Sequence, residues 1–150
     1  RGPTAAFGEV LNKELIPFID SRFRTRADAA HRAMAGLSMG GGQTLSIAPN
    51  HPELFAYIAS MSTGGRGAFD PATPYGGIFK DAATFEKGNR LLFLSAGTAE
   101  PGFHTSVKAM HDSLTSNGIR STFYSSEGTS HEWQTWRRSL HDLAPRLFRE

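Results

Sequence analysis

A serine hydroxyl, an imidazole and a carboxylate, brought within reach of one another, can break an ester by transferring its acyl group to the protein and then to water. Ser38 is the candidate nucleophile. It stands in Ala35-Gly36-Leu37-Ser38-Met39-Gly40-Gly41-Gly42, and the spacing Gly36-x-Ser38-x-Gly40 is that of a nucleophile elbow. Such a turn holds the serine in a strained backbone with neighbours close on both sides, so glycine is expected to be required two positions before and two after it. The Met39 N–H, at the start of the following helix, is the candidate oxyanion donor.

The hydroxyl needs a base, and the base an orienting acid. Of the six histidines, His131 alone follows the last predicted strand, in the loop Glu127-Gly128-Thr129-Ser130-His131 before the terminal helix. His31 precedes the elbow, His51 lies in a His-Pro turn, and His104, His111 and His141 fall on or beside helices, where surface or capping roles are expected. The chain order serine, acid, histidine puts the acid after the preceding strand. There the sequence reads Gly97-Thr98-Ala99-Glu100-Pro101, and Glu100 is the carboxylate. Asp112 falls inside the next helix; Asp70 and Asp81 belong to an earlier excursion. Trp133, Trp136, Phe103 and Tyr75 are candidates for an aromatic pocket, although helical spacing also suits the two tryptophans to a core.

The elements that must position these residues alternate. Leu11, Leu15, Phe18, Ile19 and Phe23 recur at helical spacing and predict an amphipathic helix over 7–23, with Pro17 a candidate kink. Strands are predicted over 32–37, 54–61, 91–96 and 121–125, the middle two buried on both faces. Helices are predicted over 40–48, over Val107, Met110 and Leu114 up to Asn117-Gly118, and from Trp133 through Leu147. Residues 62–88 carry most of the Gly and Pro punctuation and read as a long surface excursion with a short helix near 81–85. Strands alternating with helices imply an α/β fold, a parallel sheet covered on both faces.

The 150 residues are 39% hydrophobic and 20% charged, which suits one globular domain. No run reaches the roughly 18 apolar residues of a membrane span, and no signal-peptide pattern is visible. With no cysteine, thiolate zinc sites, disulfides and cysteine nucleophiles are excluded. A formal charge of +2, with its arginines spread along helix faces, argues against nucleic-acid binding.

Three stretches together resemble carbohydrate esterase family one, the feruloyl and acetylxylan esterases among the esterase D-like α/β-hydrolases. They are Leu11-Asn12-Lys13-Glu14-Leu15-Ile16-Pro17-Phe18-Ile19, Arg32-Ala33-Met34-Ala35-Gly36-Leu37-Ser38-Met39-Gly40-Gly41, and His131-Glu132-Trp133-Gln134-Thr135-Trp136-Arg137. The resemblance implies hydrolysis of esters on plant cell-wall polysaccharide through an acyl-enzyme, without metal or cofactor, in a secreted protein. Ser38, Glu100 and His131 match its triad positions. Members of that family carry a further N-terminal half, so this chain is expected to be the C-terminal half of an α/β-hydrolase domain. The strand over 32–37 would then be an uncovered edge, open to the missing half or to another copy. Feruloyl esterase, acetylxylan esterase, acyltransferase and a non-catalytic truncated module all remain open on the residues alone.

Overall fold

The computed structural model of the protein describes residues 2–64 and 69–149. Four parallel strands form one sheet in the order β1-β2-β3-β4: β1 (Ala33–Leu37), β2 (Tyr57–Met61), β3 (Leu91–Gly97) and β4 (Thr122–Ser126). The register pairs Leu37 with Met61, Met61 with Ser95, and Gly97 with Ser126. All four strands therefore end on one rim, and that rim carries the candidate residues. In such open parallel sheets the crevice outside the carboxyl ends of the strands is the usual site.

Helix α3 (Met39–Ile47) joins β1 to β2, α4 (Ala82–Gly88) lies between β2 and β3, and α5 (Phe103–Ser116) joins β3 to β4. One core face gathers Leu45, Ile58, Leu92, Leu94, Val107, Met110 and Leu114. The other is closed by α6 (Trp133–Leu143), whose Leu143 meets Ala59, Met61 and Phe93. Both β2 and most of β3 are buried, as continuous apolar runs in a two-sided parallel sheet should be.

Three expectations change. The predicted 54–61 strand begins only at Tyr57, because the amides of Leu54 and Phe55 both turn back to the His51 carbonyl. The excursion is no mere surface loop: residues 65–68 of it lie outside the described residues, but Phe79 and Phe85 are buried and join the core beside Ile58. The first helix forms as α1 (Pro3–Val10) and α2 (Ile16–Arg22) around one wide turn, Leu11–Leu15, in which the Ile16 amide reaches the Leu11 carbonyl. This turn falls just before Pro17, whose missing N–H and ring disfavour a regular helix there.

The apolar side of that helix is exposed. Leu15, Phe18, Ile19 and Phe23 stand in the open, while Leu11 and Ile16 touch the core. Strand β1 is likewise the bare edge, with Ala35 exposed at its middle. A groove of about 920 Å³ runs beside it, lined by Ala35, Leu37, Trp133, Trp136, Arg137 and Leu140.

Candidate active site

The candidate nucleophile sits where β1 becomes α3. Ser38 has φ 53 and ψ −121, a left-handed conformation that costs a non-glycine residue about 1–3 kcal/mol and needs outside support. Two hydrogen bonds supply it: Ser38 N–H donates to the Met61 carbonyl at 2.9 Å, and the Thr63 hydroxyl donates to the Ser38 carbonyl at 2.6 Å. A β-carbon on Gly36 would lie 2.2 Å from the Gly40 carbonyl oxygen, so glycine is obligatory there. The second glycine of the motif is different. A β-carbon on Gly40 would meet nothing within 4 Å, whereas one on Gly41 would lie 2.0 Å from Thr63 Oγ1. The crowded partner of Gly36 is thus Gly41 rather than Gly40, because the helix turns its next residue toward the loop after β2.

His131 Nε2 lies 2.9 Å from Ser38 Oγ across 93 positions of sequence. Its loop is fixed by hydroxyls: Thr129 Oγ1 donates to the Ser126 carbonyl at 3.0 Å, and Thr135 Oγ1, from the first turn of α6, is bonded to Thr129 and to the Ser130 carbonyl. The imidazole is clamped by aromatics. Phe103 stacks on it at 4.9 Å and 22°, and Trp136 meets it edge-on at 5.0 Å and 88°.

Glu100 is buried, its side chain without exposure, and its Oε1 faces His131 Nδ1 at 3.8 Å. That is an ion-pair distance, longer than a hydrogen bond. The hydroxyl of Ser62 takes the closer place, donating to Oε1 at 2.8 Å. The Glu100 loop is locked to the His131 loop, since Ala99 N–H donates to the Thr129 carbonyl at 3.0 Å and a β-carbon on Gly97 would lie 2.1 Å from that same oxygen.

The family model described as "Putative esterase" matches residues 2–147. This chain belongs to that esterase family. Over 145 residues it is 40% identical to an endo-1,4-beta-xylanase/feruloyl esterase of Xylanibacter ruminicola, a match that covers 95% of this chain and 18% of that protein. A ferulic acid esterase superposes on it with a TM-score of 0.76 at 22% identity, over 95% of this chain and 62% of that one. The feruloyl esterase module of Clostridium thermocellum, in complex with sinapinate, superposes with a TM-score of 0.80 at 20% identity, over 98% and 59%. The chain thus spans less than two thirds of the length of these relatives. The superpositions establish the fold as that of the α/β-hydrolase esterases.

Four of the five other histidines are engaged elsewhere, His31 with Asp28, His51 with Glu53, His104 with Ser125 and His111 with Ser121, and His141 lies exposed on α6. The rival acids are engaged too. Asp70 accepts from Ala72 N–H, Asp81 caps α4 through Thr84 N–H, and Asp112 pairs with Lys108. Met39 opens α3, so its amide is among those with no partner inside the helix, and its side chain is exposed.

The four aromatics divide. Tyr75 and Phe103 line a cavity of about 450 Å³ with Ser38, Gln43 and Thr63. Burial pushes the Tyr75 phenol above its ordinary pKa, so it stays protonated. Trp133 and Trp136 instead line the groove beside β1. Trp133 is exposed and meets Trp136 at 5.4 Å, while the Trp136 indole N–H is taken by Ser62 Oγ. Sequence reasoning missed Ser62, Thr63, Gly41, Gly97, Thr129 and Thr135. Only the position of Ser62, first after a strand that ends on the functional rim, carries a signal that could have found it.

Proposed function

We propose that this chain carries the catalytic residues of a feruloyl-type esterase that cleaves acyl esters on plant cell-wall polysaccharide through an acyl-enzyme. The observation that carries the reading is the 2.9 Å approach of His131 Nε2 to Ser38 Oγ, in a chain 40% identical to a xylanase/feruloyl esterase. Ser38 Oγ attacks the ester carbonyl as His131 takes its proton, and the Met39 amide faces the developing oxyanion. Collapse breaks the bond to the sugar oxygen, which receives that proton from His131. Water, deprotonated by the same imidazole, then attacks the acyl-serine, and the acid is released as His131 returns the proton to Ser38 Oγ. Glu100 stabilises the imidazolium electrostatically.

The Tyr75 and Phe103 walls beside Ser38 favour a flat aromatic acyl group over acetate, as does the ferulic acid bound to the Anaeromyces mucronatus esterase, 18% identical with a TM-score of 0.75. The test compares turnover of methyl ferulate with that of p-nitrophenyl acetate. Preference for the aromatic ester supports the reading; acetate alone would reassign the chain to deacetylation, and ester exchange onto an added alcohol to acyl transfer. Loss of all turnover, with Ser38 unlabelled by a fluorophosphonate, would leave a non-catalytic module.

The bare β1 edge and the exposed face of α1 and α2 fit strands and helices contributed by the rest of a longer polypeptide, as the length of the relatives suggests. The proposed polysaccharide substrate supports a secreted enzyme, as the family resemblance implies.

A further inference from the structure

We propose that Ser62 and Trp136 are positioning residues for the acid of the triad, forming a directed chain from the Trp136 indole through the Ser62 hydroxyl to the Glu100 carboxylate. The inference rests on the esterase reading for its kinetic consequence and on geometry for the contact. Trp136 Nε1 lies 3.0 Å from Ser62 Oγ, and Ser62 Oγ lies 2.8 Å from Glu100 Oε1.

The direction follows from donor chemistry. An indole nitrogen can only donate, so Ser62 Oγ must accept from Trp136. Its single proton then goes to Glu100. Ser62 is fully buried and Glu100 nearly so, and among the described residues Glu100 Oε2 has no partner. His131 Nδ1 stands at 3.8 Å. The orientation in which the carboxylate meets the imidazole is therefore set by Ser62 and not by His131.

The backbone at Ser62 supports this. Its φ of 50 lies in the left-handed region, where glycine is at no disadvantage. A position needed only for the turn would be better served by glycine, so the side chain is there for its hydroxyl. The conformation is held from both sides, by Ser62 N–H donating to the Ser95 carbonyl at 2.7 Å and by Thr63 Oγ1 donating to the Ser38 carbonyl at 2.6 Å. One short segment thus fixes the acid through Ser62 and the nucleophile through Thr63. Trp136 also packs edge-on against His131, so its ring touches the imidazole while its N–H reaches the carboxylate through Ser62.

Ser62→Gly deletes the hydroxyl while relaxing the backbone, so the variant folds. Trp136→Phe deletes the N–H and keeps an aromatic ring. For Ser62→Gly, kcat on methyl ferulate is expected to fall roughly 10- to 100-fold, the range for a lost hydrogen bond to a charged group, with KM within about twofold; Trp136→Phe should show a smaller loss of the same kind. In a Glu100→Ala background the Ser62→Gly change should cost nothing further. Full loss in both backgrounds, or a rise in KM at constant kcat, would overturn the proposal. A second readout needs no activity: the Trp136 indole cross-peak in a ¹H–¹⁵N spectrum, identified by its absence in Trp136→Phe, should move and exchange faster in Ser62→Gly. An unmoved indole signal overturns the contact. A wild-type chain with neither ester turnover nor fluorophosphonate labelling at Ser38 overturns the esterase reading alone, and the indole signal still decides the chain of hydrogen bonds.

Discussion

Gly41 and Thr63 touch so closely that a β-carbon on Gly41 would lie 2.0 Å from Thr63 Oγ1, the same oxygen that donates to the Ser38 carbonyl at 2.6 Å. The glycine leaves room for the hydroxyl that secures the elbow. Gly41→Ala should therefore displace Thr63 and free the strained Ser38 backbone. The expected cost is about 1–3 kcal/mol of stability, the range for overpacking, together with reduced turnover. Gly40→Ala is the control: its β-carbon meets nothing, so stability should hold or rise by about 0.5–1 kcal/mol, the helix preference for Ala over Gly. Thermal melts of the two variants check the contrast, and equal damage at both positions would contradict it.

Ser38→Ala removes the attacking oxygen and nothing that packs against the core. Turnover should fall by several decades, roughly 10⁴–10⁶, with an unchanged circular dichroism spectrum. Residual activity close to wild type would refute Ser38 as nucleophile.

His131→Ala should be comparably damaging, because Nε2 is the group within reach of Ser38 Oγ. Ester turnover of His131→Ala should fall to near that of Ser38→Ala, and turnover close to wild type would point to some other base.

Glu100→Gln removes the charge beside His131 but leaves the imidazole aligned by Phe103 and Trp136. A loss of roughly 10²-fold is expected, at the low end for general-base machinery, and short of that for Ser38→Ala. Greater sensitivity at Asp70 or Asp81 would show the acid to be misassigned.

The bare edge of β1 and the exposed Leu15, Phe18 and Ile19 should make the isolated chain self-associate or bind the remainder of a longer polypeptide. Light scattering should report a mass above that of one chain, and extension upstream should restore a monomer with higher ester turnover. In α/β-hydrolases the second oxyanion N–H comes from a loop after an early strand that precedes the elbow, and lacking one donor costs roughly 10²–10³ in turnover, so the gain on extension should be at least of that order. A monomer already as active as the extended protein would refute this.

The linear sequence determined what local pattern can encode. Gly36-x-Ser38-x-Gly40 between a strand and a helix marked the candidate nucleophile, because a sharp strand-to-helix turn leaves few residue types a choice. The order of alternating elements set the parallel sheet, and with it the loops that present Glu100 and His131. Apolar spacing also found the first helix, but it could not say whether the apolar side would be covered, since that depends on neighbours far away in the chain. The structure alone decided the relationships made across strands: the Thr63 hydroxyl on the elbow, Gly41 making room for it, and Ser62 between Trp136 and Glu100. Those contacts join residues separated by 25, 38 and 74 positions. Serine and threonine at strand ends look alike in sequence. What distinguishes Ser62 is the register that pairs Met61 with Ser95 and sets the next residue against the acid, and register belongs to the sheet rather than to any one strand.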